Sequence, residues 1–220
     1  MNYVITHKDF PIGEDDFYKA LCVGGFRKDG WLSAADGNNI EPYNDRLNET
    51  TGLYWIWKNT KDRTVGLSHY HRFFNDGERL NKEKADEILK TNDIILAPIR
   101  LGWSILTNIG MASGEALSRS VCAMFREAIA EKQPQYVEAF DKVMNGNFMY
   151  YCGMFVTNRK TLNTYCKWLF SFLMDVVEKV DVSCLGFYEK RVCGYFCEAM
   201  WTVWLQNQAL DVYEMPLEVV

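Results

Sequence analysis

Short β-branched runs that end at a histidine constrain this chain more than any other feature. Asn2-Tyr3-Val4-Ile5-Thr6 runs into His7, and Val65-Gly66-Leu67-Ser68 runs into His69-Tyr70-His71-Arg72. Runs this short and apolar suit strands covered on both faces, which calls for helices above and below a sheet. The intervening segments supply them. Asn48 is placed to cap a helix over 48–59, with Glu49 in its first turn. Residues 81–90 read as a helix and 93–97 as a strand ending at Pro98, a unit that builds open α/β sheets. The stretch 114–144 reads as two helices divided near Gln133-Pro134, since proline is tolerated in a first turn. Residues 153–157 read as a strand. From Lys160 onward, Leu162, Cys166, Leu169, Leu173 and Val177 recur at helical spacing and predict one amphipathic helix. A last helix is expected over 190–207 and a short strand over 211–215. The order is that of an α/β fold, an open sheet flanked by helices with a helical carboxy-terminal part. No repeat or linker divides it, so residues 1–220 are expected to form a single domain.

Composition excludes several partners. With 24 basic and 29 acidic side chains the formal charge is −5, and no basic stripe with interleaved aromatics offers itself to nucleic acid. Seven cysteines, odd in number and without ligand-pair spacing, read as reduced, buried thiols and point to the cytoplasm. No signal segment opens the chain, and no run reaches the roughly 18 apolar residues of a membrane helix. Peripheral attachment at the inner face of the plasma membrane stays compatible with this reading.

All three histidines lie where an expected strand meets a loop. In open α/β sheets the carboxyl ends of the strands form the ligand crevice, so His7, His69 and His71 are expected to share one site; their alternative role is structural hydrogen bonding. If 69–73 stays extended, His69 and His71 share a face, and an H-x-H pair can ligate zinc, but no third ligand is recognisable nearby. The stretch 22–47 is rich in turn residues, with Asp36, Asn38, Asn39 and Asn44 leading toward a helix start, a natural place for a hydroxyl-rich or anionic ligand. For Asn38 and Asn39, turn chemistry explains the pattern equally well. Trp55 and Trp57 turn to different faces of their helix, so one is available to stack on a sugar if the other is core. In the last helix Arg191 and Glu198 stand seven residues apart on one face, with Gly194 between them. A surface charge pair is one reading; a polar cleft facing an otherwise apolar helix is the other.

Taken together, Tyr3-Val4-Ile5-Thr6-His7-Lys8, Asn39-Ile40 with Asn44, Glu49-Thr50, Leu53-Tyr54-Trp55-Ile56-Trp57-Lys58-Asn59, His69-Tyr70-His71-Arg72-Phe73-Phe74, Met154-Phe155, Tyr165-Cys166-Lys167-Trp168 and the block from Arg191 to Glu198 resemble a family. It is the uncharacterised family of bacterial polysaccharide loci called domain of unknown function 4422, regarded as glycosyltransferase-like. The ordered blocks span nearly the whole chain. Two positions depart from the family pattern: His71 stands where an arginine is usual, and Gly153 where an asparagine is usual before Met154-Phe155. The first replaces a permanent cation with a titratable one, so that a phosphate contact at 71 becomes pH-dependent; the second removes a ligand hydrogen bond.

The resemblance implies a GT-A-like, Rossmann-related glycosyltransferase with an open mixed sheet. It would move a sugar from a nucleotide-diphosphate donor, UDP-linked, to a hydroxyl of a growing capsular, lipopolysaccharide or other surface glycan. Such enzymes commonly hold a divalent ion on Asp-x-Asp, and this chain has none. Protein cations are therefore expected to neutralise the leaving diphosphate with no cofactor required, manganese remaining compatible. Glu198 and Asp36 are the candidate catalytic carboxylates. His7, Lys8, Asn38, Asn39, Asn44, Glu49, Trp55, Lys58, His69, His71, Arg72, Gly153 and Arg191 are the candidate donor and substrate contacts. The competing classes are a metal-dependent hydrolase on His69 and His71, and a non-catalytic carbohydrate-binding relative.

Overall fold

The computed structural model describes residues 1–12 and 16–220. At its centre β1 (Asn2–Thr6) lies between β2 (Tyr18–Cys22) and β4 (Thr64–His69), parallel to both, and β3 (Leu32–Ser33) extends the parallel part beyond β2. Every residue of β1 is buried, the burial expected of a strand covered on two faces. On the other side of β4 runs antiparallel β9 (Phe155–Asn158), then β6 (Ile94–Leu96) antiparallel to β9, then β10 (Val212–Glu214) parallel to β6. The sheet is thus open and mixed. A hairpin turns from β4 into β5 (Arg72–Phe74), which also takes β11 (Leu217–Val219) antiparallel, while β7 (Pro98–Arg100) and β8 (Phe148–Tyr150) form a separate ribbon.

The helices are α1 (Asn44–Leu47), α2 (Glu49–Asn59), α3 (Lys82–Ile88), α4 (Ile105–Ser113), α5 (Glu115–Lys132), α6 (Val137–Asn145), α7 (Arg159–Leu169), α8 (Leu173–Lys179), α9 (Phe187–Lys190) and α10 (Val192–Leu205). Pro134 opens a single 3-10 turn between α5 and α6, as its position between two helical patterns predicts. Two glycines set the helices that matter for function. A Cβ on Gly52 would stand 2.4 Å from Ile5 Cδ1, so its absence lets α2 settle directly on β1. A Cβ on Gly194 would stand 2.3 Å from Asn48 Nδ2 and 3.2 Å from the Arg46 carbonyl, so α10 abuts the α1–α2 junction. Among the described residues no helix is long and apolar enough to cross a membrane.

Several expectations need correcting. Strand β2 was not anticipated; the exposed Lys19 interrupts its apolar run. The helix expected from Lys160 is two helices, because the chain leaves α7 at Phe170 and the Ser171 hydroxyl donates to the Trp168 carbonyl (2.7 Å), satisfying the helix end from a side chain. The apolar spacing continues across the break, which is why periodicity did not reveal it. The last helix, expected over 190–207, is α10, and the short α9 precedes it across Arg191. Residues 69–73 are not extended: Tyr70 and His71 form the turn of the β4–β5 hairpin, with His69 paired to Arg72. Asn48 precedes α2 but its side chain does not cap it; the amide oxygen instead accepts from Arg191 Nε at 2.6 Å.

Candidate active site

The carboxyl ends of β1 and β4, the α1–α2 junction and the first turns of α10 surround a cleft of about 1090 Å³. Its walls bring together His7, Asn39, Asn44, Glu49, His69, His71, Arg72, Arg191 and Glu198 from distant parts of the sequence. His7 and His69 end adjacent strands and line the same cleft, together with His71.

Two arginines and two glutamates dominate the chemistry. Arg72 has no hydrogen-bond acceptor and no carboxylate within ion-pair distance among the described residues, only the Tyr151 ring at 5.5 Å. Arg191 spends one donor on Asn48 and lies 5.7 Å from the rings of Phe187 and Tyr195. Neither forms an ion pair with Glu49 or Glu198, so the surface-pair reading of Arg191 and Glu198 does not hold. Both carboxyls keep some contact with the cleft, yet protein packs closely round them. Burial raises the pKa of each, the adjacent Glu198 charge raises that of Glu49 further, and Arg72 and Arg191 pull Glu198 partly back. Near neutral pH the two therefore retain a proton between them. Glu49 Oε1 is closed off from solvent and has no hydrogen-bond partner among the described residues.

The histidines are not the cations of this site. Burial, with the neighbouring Arg72 charge, pushes the His69 pKa down to about 3, and its Nε2 lies 3.0 Å from the Cys152 carbonyl, so that nitrogen carries the proton of a neutral ring. Burial lowers His7 and His71 as well, followed by Lys8 for His7 and by Arg72 for His71. This lowering works against the charge that the expected pH-dependent phosphate contact at His71 needs. His71 Nδ1 is buried without a partner among the described residues, and the His69 and His71 rings stand 6.0 Å apart. Among the described residues no three His, Cys, Asp or Glu side chains group as a metal site.

The remaining candidates fall elsewhere. Asp36 does not line the cleft; its carbonyl accepts from Trp55 Nε1 at 2.7 Å, and Trp55 is core, edge-on to Tyr3. Asn38 is spent on turn chemistry, exchanging bonds with Asn59 and accepting from the Tyr54 hydroxyl. Asn39 reaches the cleft wall, but its amide bonds the Ala35 and Gly37 carbonyls and the Glu41 N–H. Asn44 braces the helix junction through the Asn48 carbonyl and the Thr51 hydroxyl. Lys8 covers the Tyr70 ring (4.7 Å), and Lys58 lies on the outer face of α2 over Trp57 (3.4 Å). Gly153, at φ 61°, borders a small second cavity behind Glu49. Sequence reading missed Glu41, Cys152 and Phe187, which line the cleft, and gave Asn48 only a capping role. Glu41 Oε1 accepts from the Gly25 N–H at 3.0 Å while its Oε2 is buried without a partner. No local pattern marks these residues, since each reaches the site through long-range packing.

The fold is an open, mixed α/β sheet with an arginine-lined, carboxylate-bearing cleft over its strand ends, the place where open α/β folds bind ligands. Residues 2–209 match the family described as domain of unknown function DUF4422, and the chain belongs to that family. No curated protein matches it. Among solved structures, the chain is similar to the apo structure of WbbM, a bifunctional glycosyltransferase, with a TM-score of 0.85 and 24% identity. That match covers 100% of this chain and 45% of the other, so the chain spans less than half of the protein it resembles. The shared feature is the fold, an open mixed sheet flanked by helices resembling a glycosyltransferase structure.

Proposed function

We propose that this chain is a glycosyltransferase that moves a hexosyl group from a UDP-linked donor to a hydroxyl of a growing surface polysaccharide or glycan. One observation carries the reading: in a cleft over the strand ends, Arg72 keeps all its donors free of acceptors among the described residues, while two carboxyls with raised pKa stand near it without an ion pair. Unpaired guanidinium donors in a concave site suit a diphosphate, which they bind through a planar fork. As the bond from the sugar C1 to the diphosphate breaks, negative charge grows on the leaving oxygen and Arg72 and Arg191 stabilise it. The acceptor oxygen bonds to C1 and its proton passes to Glu198. A carboxylate whose pKa is lifted toward neutrality is a better base than an exposed one. Glu49, the carboxyl with the higher pKa, holds the shared proton and leaves Glu198 ionised as the base, and Asp36, outside the cleft, drops out as a base. The cations of the reading are arginines, so a divalent ion is not required.

Thermal melting with UDP, UDP-glucose and UDP-galactose, in EDTA and in manganese, tests this. The expected result is a rise in Tm with a UDP-sugar, similar in both buffers, and its loss in Arg72→Gln. The absence of a rise with any of them overturns the donor assignment. A tenfold affinity loss on chelation, about 1.4 kcal/mol, overturns its metal-free part.

A further inference from the structure

The cleft has an aromatic rim that the donor chemistry does not use. Phe187 lines it yet is 72% exposed, and its neighbour Tyr188 is 64% exposed. Neither belongs to the hydrophobic core or packs against it. Large apolar side chains left in water beside a binding site mark a surface that awaits a partner. The two rings are presented rather than loose. Glu189 holds the start of α9 by accepting from the Gly186 N–H at 2.7 Å, Tyr188 stands edge-on to Phe187 at 5.3 Å, and Arg191 lies 5.7 Å from the Phe187 ring.

The chemistry of the same rim narrows the occupant. Glu41, Pro42 and Asp45, from the turn before α1 and from α1 itself, also line the cleft, and α1 and α9 are in contact. Glu41 Oε2 is buried and without a partner among the described residues, an acceptor that a ligand donor can satisfy. Carboxylates that accept from hydroxyls, lining the same cleft as an aromatic face that covers C–H groups, suit an uncharged saccharide. The same carboxylates repel a phosphorylated acceptor or an anionic bilayer. At about 1090 Å³ the cleft also exceeds what one drug-sized ligand fills, roughly 300–1,000 Å³.

We infer that Phe187, with Glu41, forms an acceptor subsite that seats a neutral sugar ring at the mouth of the cleft. This inference rests on the glycosyltransferase reading but is tested apart from it. Arg191 joins the two, since it touches the Phe187 ring and faces the donor charges. The acceptor presents its C–H face to Phe187 and a hydroxyl hydrogen to Glu41, which aims a second hydroxyl inward toward Glu198.

Saturation-transfer NMR with the methyl glycosides of glucose, galactose and mannose gives a readout independent of catalysis. The wild-type protein is expected to transfer saturation to the ring C–H protons of at least one glycoside. Phe187→Ala is expected to lose at least fivefold of that signal and Phe187→Trp to keep it, while both variants keep the wild-type melting shift with UDP-sugar. Wild-type-like transfer in Phe187→Ala overturns the inference, as does no transfer to any glycoside by the wild type. Co-sedimentation of the wild type, but not of Phe187→Ala, with phosphatidylglycerol vesicles, without glycoside contact, assigns the ring to a lipid surface and overturns it too. Failure of the UDP-sugar shift in the wild type, with glycoside contact intact, sinks the donor reading instead.

Discussion

At the scale of single residues, the cleft trades stability for chemistry. Glu198 has neither an ion pair nor a hydrogen bond to protein among the described residues, and burial holds its pKa high. Replacing it with a neutral isostere removes a poorly solvated charge and no partner. Glu198→Gln should therefore melt at or above the wild-type temperature at pH 8 and keep the donor-induced shift, while transfer falls by roughly 100-fold or more. A melting loss of several degrees, or unchanged transfer, would show that the carboxylate serves the fold or nothing. Gly153 offers a second test. Its φ of 61° lies in the left-handed region, and a Cβ there would be 3.9 Å from the orphaned Glu49 Oε1. Alanine at this backbone angle is expected to cost about 1–2 kcal/mol. Asparagine, the residue usual in the family pattern, tolerates the angle and can donate its amide to Oε1. Gly153→Asn should thus be more stable than Gly153→Ala by chemical denaturation, and equal losses in the two would remove the amide–carboxyl contact from the argument.

At the scale of elements, the site depends on how closely α10 meets the α1–α2 junction. Gly194 permits that approach, and the Asn48–Arg191 bond of 2.6 Å crosses it. Gly194→Ala places a methyl group 2.3 Å from Asn48 Nδ2, so either the amide swings away or the helices separate. Overpacking of this kind costs about 1–3 kcal/mol. Because Arg191 loses its anchor in both cases, the UDP-sugar melting shift should shrink by more than half; an unaltered shift would detach the junction from donor binding. The same junction explains what could and could not be read beforehand. Strands β1, β4 and β6 were legible because burial on two faces leaves short apolar runs with polar ends. Arg191 and Glu198 were legible because charge on an apolar helix needs a polar neighbour. The break at Phe170 was not, since a side-chain bond ends the helix while the apolar spacing runs on. The hairpin turn at Tyr70 and His71 was hidden for a similar reason: it is fixed by backbone bonds to Ile5 and Val220, 65 and 149 positions away by the residue numbers.

At the scale of the whole molecule, the buried ionisable groups should shape stability as a function of pH, and their signs differ. Glu49 and Glu198 have folded-state pKa values raised above those of an unfolded chain, where a glutamate titrates near 4.5. The folded state holds protons that the unfolded state releases, so their contribution is full below about pH 4.5 and is lost as pH rises toward 8. His69 is the reverse. Its folded pKa of about 3 lies below the ordinary 6.5, so the unfolded chain takes up a proton first, and stability present above pH 6.5 is lost as pH falls toward 3. His7 and His71 act in the direction of His69, more weakly because water reaches them. The amino terminus, its pKa lowered by burial, also favours higher pH and partly masks the glutamates between pH 7 and 8. Differences between variants therefore isolate each contribution better than the wild-type curve does. In urea denaturation from pH 5 to 8, the double variant Glu49→Gln, Glu198→Gln should gain stability over wild type progressively as pH rises, with the gap smallest at pH 5. His69→Gln, which retains a donor toward the Cys152 carbonyl, should gain relative to wild type only as pH falls below 6.5. Parallel curves for wild type and the double variant would mean that the two carboxyls are solvated and titrate near their ordinary values. The shared proton, and with it the argument that Glu198 is tuned as a base, would then fail together.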